Sequence, residues 1–102
     1  MNKLVVPVPC TKNIKERTLK DWFMRIDEEV NEFKAELLKY YNLGEELVPT
    51  GMSPEDRNNI ADEGSDVCTT ITTIEERIRI DVEERMKSQL RVNRRNKERG
   101  RL

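Results

Sequence analysis

Two long stretches of this chain repeat their apolar residues every three or four positions, and that spacing constrains the fold more than any other feature. Leu19, Trp22, Phe23, Ile26, Val30, Phe33 and Leu37 form the first series. They define one face of an amphipathic helix running from Thr18, a natural N-cap, to about Tyr41. Ile60, Val67, Ile71, Ile74 and Ile78 form the second series. It follows Ser53-Pro54-Glu55-Asp56, where Ser caps the helix, Pro fits its first turn and Asp faces free backbone N–H groups. Asn42 to Met52, with Gly44, Pro49 and Gly51, is the expected connection.

Thr69, Thr70, Thr72 and Thr73 interrupt the second series with branched side chains, which lower intrinsic helix propensity. A helix through them therefore needs tertiary packing. Asp81-Val82-Glu83-Glu84 resembles a fresh capping box, so the spacing predicts a break near Arg79 to Asp81. A third helix then carries Val82, Met86 and Leu90. The expected fold class is all-α: an antiparallel helical bundle, with residues 1–17 as an extended arm, 18–99 as the helical domain and 100–102 as a tail. The arm is expected to cover the helical body or a partner.

With 102 residues the chain buries a modest fraction of its surface, so completion of the bundle by a homodimer or homotetramer is expected. No segment approaches the ~18 apolar residues of a membrane span, and the N-terminal apolar run is short and broken by proline. A cytoplasmic protein without membrane partners is the expectation. Only two cysteines, Cys10 and Cys68, and no histidine are present, which excludes the common Cys/His zinc patterns. Cys68 reads as a small buried side chain.

Charge is unevenly distributed. Arg85 to Leu102 carries eight Lys/Arg against Glu98, a local balance of +7, which leaves -8 on the first 84 residues. An acidic body with a basic end suits a metal together with a phosphate-bearing ligand. On a helical wheel with Glu28 at zero, Glu32, Glu36 and Glu29 fall at about 40°, 80° and 100°, beside the apolar face. On the second helix Asp66 and Glu63 fall at about 40° and 100° from Asp62, beside the same kind of face. Packing the two apolar faces brings Glu29, Glu32, Glu63 and Asp66 toward one point, where their mutual repulsion calls for a cation. Hard oxygen donors suit Mg²⁺, with Mn²⁺ as a substitute, better than zinc.

The competing reading is that such acid spacings line ordinary solvated faces. The basic end is equally open: Lys87, Arg91, Arg95 and Arg99 recur at fours and can hold phosphate oxygens, or they complement the helix dipole. Asn93 and Asn96 add amides suited to a base, sugar or phosphate. Binding to nucleic acid would use the same charges, but no recognisable nucleic-acid motif accompanies them. Trp22, Phe23 and Phe33 could form a base-facing wall, although their spacing makes core packing the default.

The acid elements resemble those of the MazG-like, all-alpha NTP pyrophosphatases, the helical superfamily that includes dimeric dUTPases. Glu28-Glu29-Val30-Asn31-Glu32 matches the E-E-x-x-E element and Glu63-Gly64-Ser65-Asp66 the E-x-x-D element. The resemblance continues through Ile80-Asp81-Val82-Glu83-Glu84 to Lys87 and Asn93, and spans roughly Leu19 to Arg99. The chain departs from the pattern at Gly64-Ser65, where larger or helix-favouring residues are usual.

The resemblance implies a bundle completed by another subunit and Mg²⁺-dependent hydrolysis of a nucleoside triphosphate to monophosphate and pyrophosphate. It implies Glu29, Glu32, Glu63 and Asp66 as metal ligands, with Glu28 as a further catalytic acid. Lys87, Arg91, Asn93, Arg95, Asn96 and Arg99 are the expected substrate-binding set. The alternatives are a non-catalytic helical oligomer and a nucleic-acid-binding module that uses the basic C-terminal segment.

Overall fold

The computed structural model describes residues 5–11, 18–39 and 52–102. These residues contain three helices and no strand: α1 Leu19–Leu38, α2 Pro54–Arg77 and α3 Val82–Glu98. The expected connection lies almost wholly outside the described residues.

Each helix starts where its capping chemistry dictates. Thr18 Oγ1 accepts from the Asp21 N–H at 3.2 Å, and Asp21 Oδ2 accepts from the Thr18 N–H at 3.0 Å. The same reciprocal pair joins Ser53 and Asp56, ahead of Pro54 in the first turn of α2. Asp81 Oδ1 accepts from the Glu84 N–H at 2.9 Å and opens α3. Each such cap is worth ~1 kcal/mol. The α1 helix ends at Leu38, short of the expected Tyr41, with Lys39 as its C-cap.

The break between α2 and α3 is a Schellman turn. The Arg79 N–H donates to Glu76 O and the Ile80 N–H to Glu75 O, with Arg79 in the left-handed region at φ 64°. The end of α3 repeats the pattern: Gly100 donates to Lys97 O and Arg101 to Asn96 O, with Gly100 at φ 71°. Glycine adopts this conformation without the Cβ clash that Arg79 bears. Arg85 ties α3 back to this junction by donating to Ile80 O at 2.6 Å and to Glu76 Oε2 at 3.1 Å.

The α1 and α2 helices form an antiparallel pair. Phe33 near the end of α1 lies beside Gly64 in the first half of α2, whereas Trp22 near the start of α1 shares a cleft with Thr69 and Thr73 farther along α2. A Cβ added at Gly64 would lie 3.4 Å from Phe33 Cε2. That is ordinary van der Waals contact, so Gly64 lies against the ring without the contact itself demanding glycine. Thr70, Thr72 and Thr73 are buried, so packing sustains the weak helix formers as their propensity requires. Part of the arm lies against α2: the Cys10 N–H donates to Thr73 Oγ1 at 3.0 Å, while that hydroxyl donates to Thr69 O at 2.8 Å.

Other parts of the apolar pattern stay exposed. Among the described residues Trp22 is the one buried hydrophobic side chain, whereas Leu19, Phe23, Ile71 and Ile78 are exposed. Phe33 is half-buried, so core packing holds for Trp22 and Phe33 but not for Phe23. Cys68, expected to be buried, is exposed as well, because it projects toward the side of α2 that α1 leaves uncovered. The α3 helix does not pack along α1 or α2, and Met86 and Leu90 remain 59% and 65% accessible. No described helix is long and apolar enough to cross a membrane.

Candidate metal centre

The two acid-bearing helices converge where their apolar faces meet. Carboxylate oxygens of Glu29, Glu32 and Glu63 lie within 4.8 Å of one another. Glu29 is buried, Glu63 half-buried and Glu32 exposed, so the group opens to solvent on one side. Asp66, one turn beyond Glu63, is exposed and stands outside this tight triad. Its charge still reaches both Glu29 and Glu63.

The two carboxylate oxygens of Glu29 have different surroundings. Oε1 forms an ion pair with Arg25 at 2.7 Å, whereas Oε2 is buried with no hydrogen-bond partner. Glu63 Oε2 is likewise buried and unpaired. An unsatisfied buried carboxylate oxygen is costly, because it has given up water without replacement. The cost appears in both acidities. Burial pushes the Glu29 carboxyl above the ordinary glutamate range; Arg25 opposes that shift and Glu32, Asp66 and Glu28 reinforce it. Desolvation also raises Glu63, with Glu32, Asp66, Glu29 and Glu36 adding to the effect.

A divalent cation fits this donor set. The available oxygens are hard donors, two of them are unpaired, and the neighbouring acids reinforce one another's raised pKa. Glu28, by contrast, points to Arg25 at 3.5 Å and remains largely exposed, outside the triad. Glu36 is occupied by Lys39 at 2.8 Å.

Beside the triad lies a cleft of about 320 Å³. Trp22, Arg25 and Glu29 line it from α1, Asp66, Thr69, Thr70 and Thr73 from α2, and Cys10 from the arm. The Arg25–Glu29 ion pair was available in the sequence as an i, i+4 spacing. The threonines at 69, 70 and 73 also share a helix flank. Nothing in the sequence pattern placed Cys10 there.

The expected substrate-binding residues all belong to α3 or its cap, and among the described residues none lines this cleft. A second groove, of about 450 Å³, lies between Val6 and Pro7 of the arm, Cys68, Ile71, Thr72 and Glu75 of α2, and the first half of α3. The α2 residues bordering the two spaces lie roughly 160° apart around the helix axis. The acid cleft and the α3 side are therefore opposite flanks of α2. Lys87 pairs with Glu83 at 3.4 Å and Asn93 accepts from Gln89 at 2.8 Å. Arg91, Arg95 and Arg99 are exposed, and Asn96 is half-buried.

No family model, curated protein or solved structure matches this chain.

Proposed function

We propose that the chain is a Mg²⁺-dependent nucleoside triphosphate pyrophosphohydrolase that releases a nucleoside monophosphate and pyrophosphate, with Mn²⁺ able to substitute. The observation that carries this reading is the convergence of Glu29, Glu32 and Glu63 with two buried, unpaired carboxylate oxygens. The resemblance of E-E-x-x-E and E-x-x-D to the MazG-like elements supplies the reaction class. A bound divalent ion supplies charge neutralisation at the phosphates and acidifies water.

The chain's own residues divide the work. Arg25 holds Glu29 Oε1 and thereby leaves Oε2 free as a donor. Glu32 and Glu63 offer the neighbouring oxygens, one from each helix. Asp66, outside the triad but on the cleft wall, is the fourth carboxylate, available to complete the ligand set or to accept the proton of attacking water. Glu28 acts from the rim through its pairing with Arg25.

Self-association belongs to this proposal. Ile71, Ile78, Val82, Met86 and Leu90 are exposed, and among the described residues Trp22 is the one buried hydrophobic side chain. We place a second copy against α3, giving a homodimer or a homotetramer in a cytoplasmic setting. Lys87, Arg91, Asn93, Arg95, Asn96 and Arg99 would then serve a neighbouring copy's phosphates rather than their own chain's cleft.

The test is cleavage of common and modified nucleoside triphosphates with Mg²⁺, with Mn²⁺ and with chelator, measuring monophosphate and pyrophosphate separately. Metal-dependent release of both products in equal amounts is expected. Release of inorganic phosphate, or no turnover with either ion, would overturn the reading. A second reading follows from the exposed basic helix itself: a non-catalytic oligomer or a nucleic-acid-binding module. It predicts salt-sensitive oligonucleotide binding that requires Arg91 to Arg101, without triphosphate turnover.

A further inference from the structure

The arm passes between the two open spaces that flank α2. Val6 and Pro7 line the groove on the α3 side, whereas Cys10 lines the acid cleft on the opposite flank. The extended chain from Val6 to Cys10 reaches about 13–14 Å, enough to cross a helix about 10–12 Å in diameter. Beneath that crossing lie Thr72, which borders the groove with Val6 and Pro7, and Thr73, which meets Cys10. These two threonines are 6% and 3% accessible.

What holds the arm there is slight. Val5, Val6 and Val8 are 90%, 51% and 72% accessible, so the segment gains little from burial. Its tie to α2 is the hydrogen bond from the Cys10 N–H to Thr73 Oγ1 at 3.0 Å. One such bond contributes no more than the entropy lost in fixing one or two residues. Pro7 and Pro9 lessen that entropy and keep the segment extended, yet they bring no N–H of their own. The acceptor is aimed as well: Thr73 directs its hydroxyl hydrogen to Thr69 O at 2.8 Å, which turns the oxygen lone pairs toward the arm.

With the arm in place the acid cleft measures about 320 Å³, the lower end of the roughly 300–1,000 Å³ of small-molecule sites. We infer that the arm is a strap across α2, latched at Thr73, whose release widens the acid cleft and whose seating in the α3-side groove sets how often it releases. Whatever fills the groove competes with Val6 and Pro7 and thereby opens the cleft, because both events act on one element with two positions. That the opening admits a triphosphate rests on the hydrolase proposal; the strap itself does not.

Trp22, the sole tryptophan and 8% accessible, lines the cleft whose rim Cys10 forms, so its quenching by acrylamide reports release. The full chain is measured in chelator without nucleotide, together with amide hydrogen exchange. The Cys10 amide is expected to exchange at least about tenfold faster than the central α2 amides, through local opening. Val6→Gly, at the groove end, should speed Cys10 exchange about fivefold and raise Trp22 quenching, while α2 exchange stays the same. Thr73→Val removes the acceptor at nearly constant shape and should raise Trp22 quenching too; Thr73→Ser, which keeps the hydroxyl, should restore the original value.

Cys10 exchange as slow as that of central α2 would overturn the strap, since the arm would then leave only on unfolding. Unchanged Trp22 quenching in Val6→Gly would do the same, because that change reaches the cleft only through the arm. Equal quenching in Thr73→Ser and Thr73→Val would overturn the latch at the hydroxyl. Should Thr73→Val fail to fold, Val6→Gly, on an exposed arm residue, carries the test. Neither readout involves turnover, so a failed strap leaves the hydrolase standing and a failed hydrolase leaves the strap standing.

Discussion

The α1–α2 pair and α3 carry the same kind of amphipathic pattern, yet only the first two helices use it on one another. Where α1 and α2 pack together, one oxygen of Glu29 and one of Glu63 are buried without a hydrogen-bond partner. On α3, Val82, Met86 and Leu90 face solvent and the charged residues keep their hydration or pair locally. An apolar stripe specifies that a face is to be covered, without specifying what covers it. Burial also leaves carboxylate oxygens in a row of acids without partners, whereas the same density of charge on an exposed helix remains a solvated surface.

The largest expected effect tests the acidic half of this contrast. Replacing Glu29, Glu32, Glu63 or Asp66 singly by its amide removes a charged ligand with little change in shape. Triphosphate turnover is expected to fall at least about tenfold, the consequence of losing ~1.4 kcal/mol at the transition state. Circular dichroism should show an unchanged helical fold. Full activity in the combined Glu32→Gln and Asp66→Asn variant would remove the proposed metal centre.

The basic half is broken by placing charge on its uncovered face. Met86→Asp with Leu90→Asp should shift the proposed oligomer to monomer in sedimentation and lower its melting temperature. The individual chain should retain the α1–α2 pair, because neither side chain is buried against it. An unchanged sedimentation profile would remove α3 as the surface of self-association.

A smaller effect comes from pH. Folded Glu29 and Glu63 hold their protons above the pH at which the unfolded chain releases them. These groups therefore make metal-free stability fall as pH rises from the ordinary glutamate range, ~4.3, through their raised values. Thermal melts in chelator should show that slope, and Glu29→Gln should flatten it and stabilise the metal-free protein at neutral pH. Mg²⁺ should raise stability more at neutral pH than at the acid end, where protons compete for the same oxygens. A slope unaltered by Glu29→Gln would detach it from the cluster.

The smallest effect lies at the junction between the two regions. Arg79→Gly removes a left-handed side chain from the Schellman turn, and its gain is partly offset by the greater entropy of unfolded glycine. A net stabilisation of roughly 0.5 kcal/mol is expected from denaturant melts. Destabilisation would instead indicate that the Arg79 side chain contributes to holding α3 against its junction.

The sequence by itself determined where the helices begin and why. Thr18, Ser53 and Asp81 offer side-chain acceptors to free N–H groups within three residues, an interaction local enough to be legible from spacing. It also placed Glu29, Glu32, Glu63 and Asp66 on the flanks adjoining the two apolar faces, because helical geometry converts sequence separation directly into angle. Tertiary structure decided which acids lost their water, that Arg25 occupies one oxygen of Glu29, and that Cys10 borders the cleft. It also decided that Phe23, Cys68 and the α3 stripe remain exposed. These outcomes depend on the rotation, separation and partners of packed elements, and helical periodicity gives each face a direction without setting any of those three.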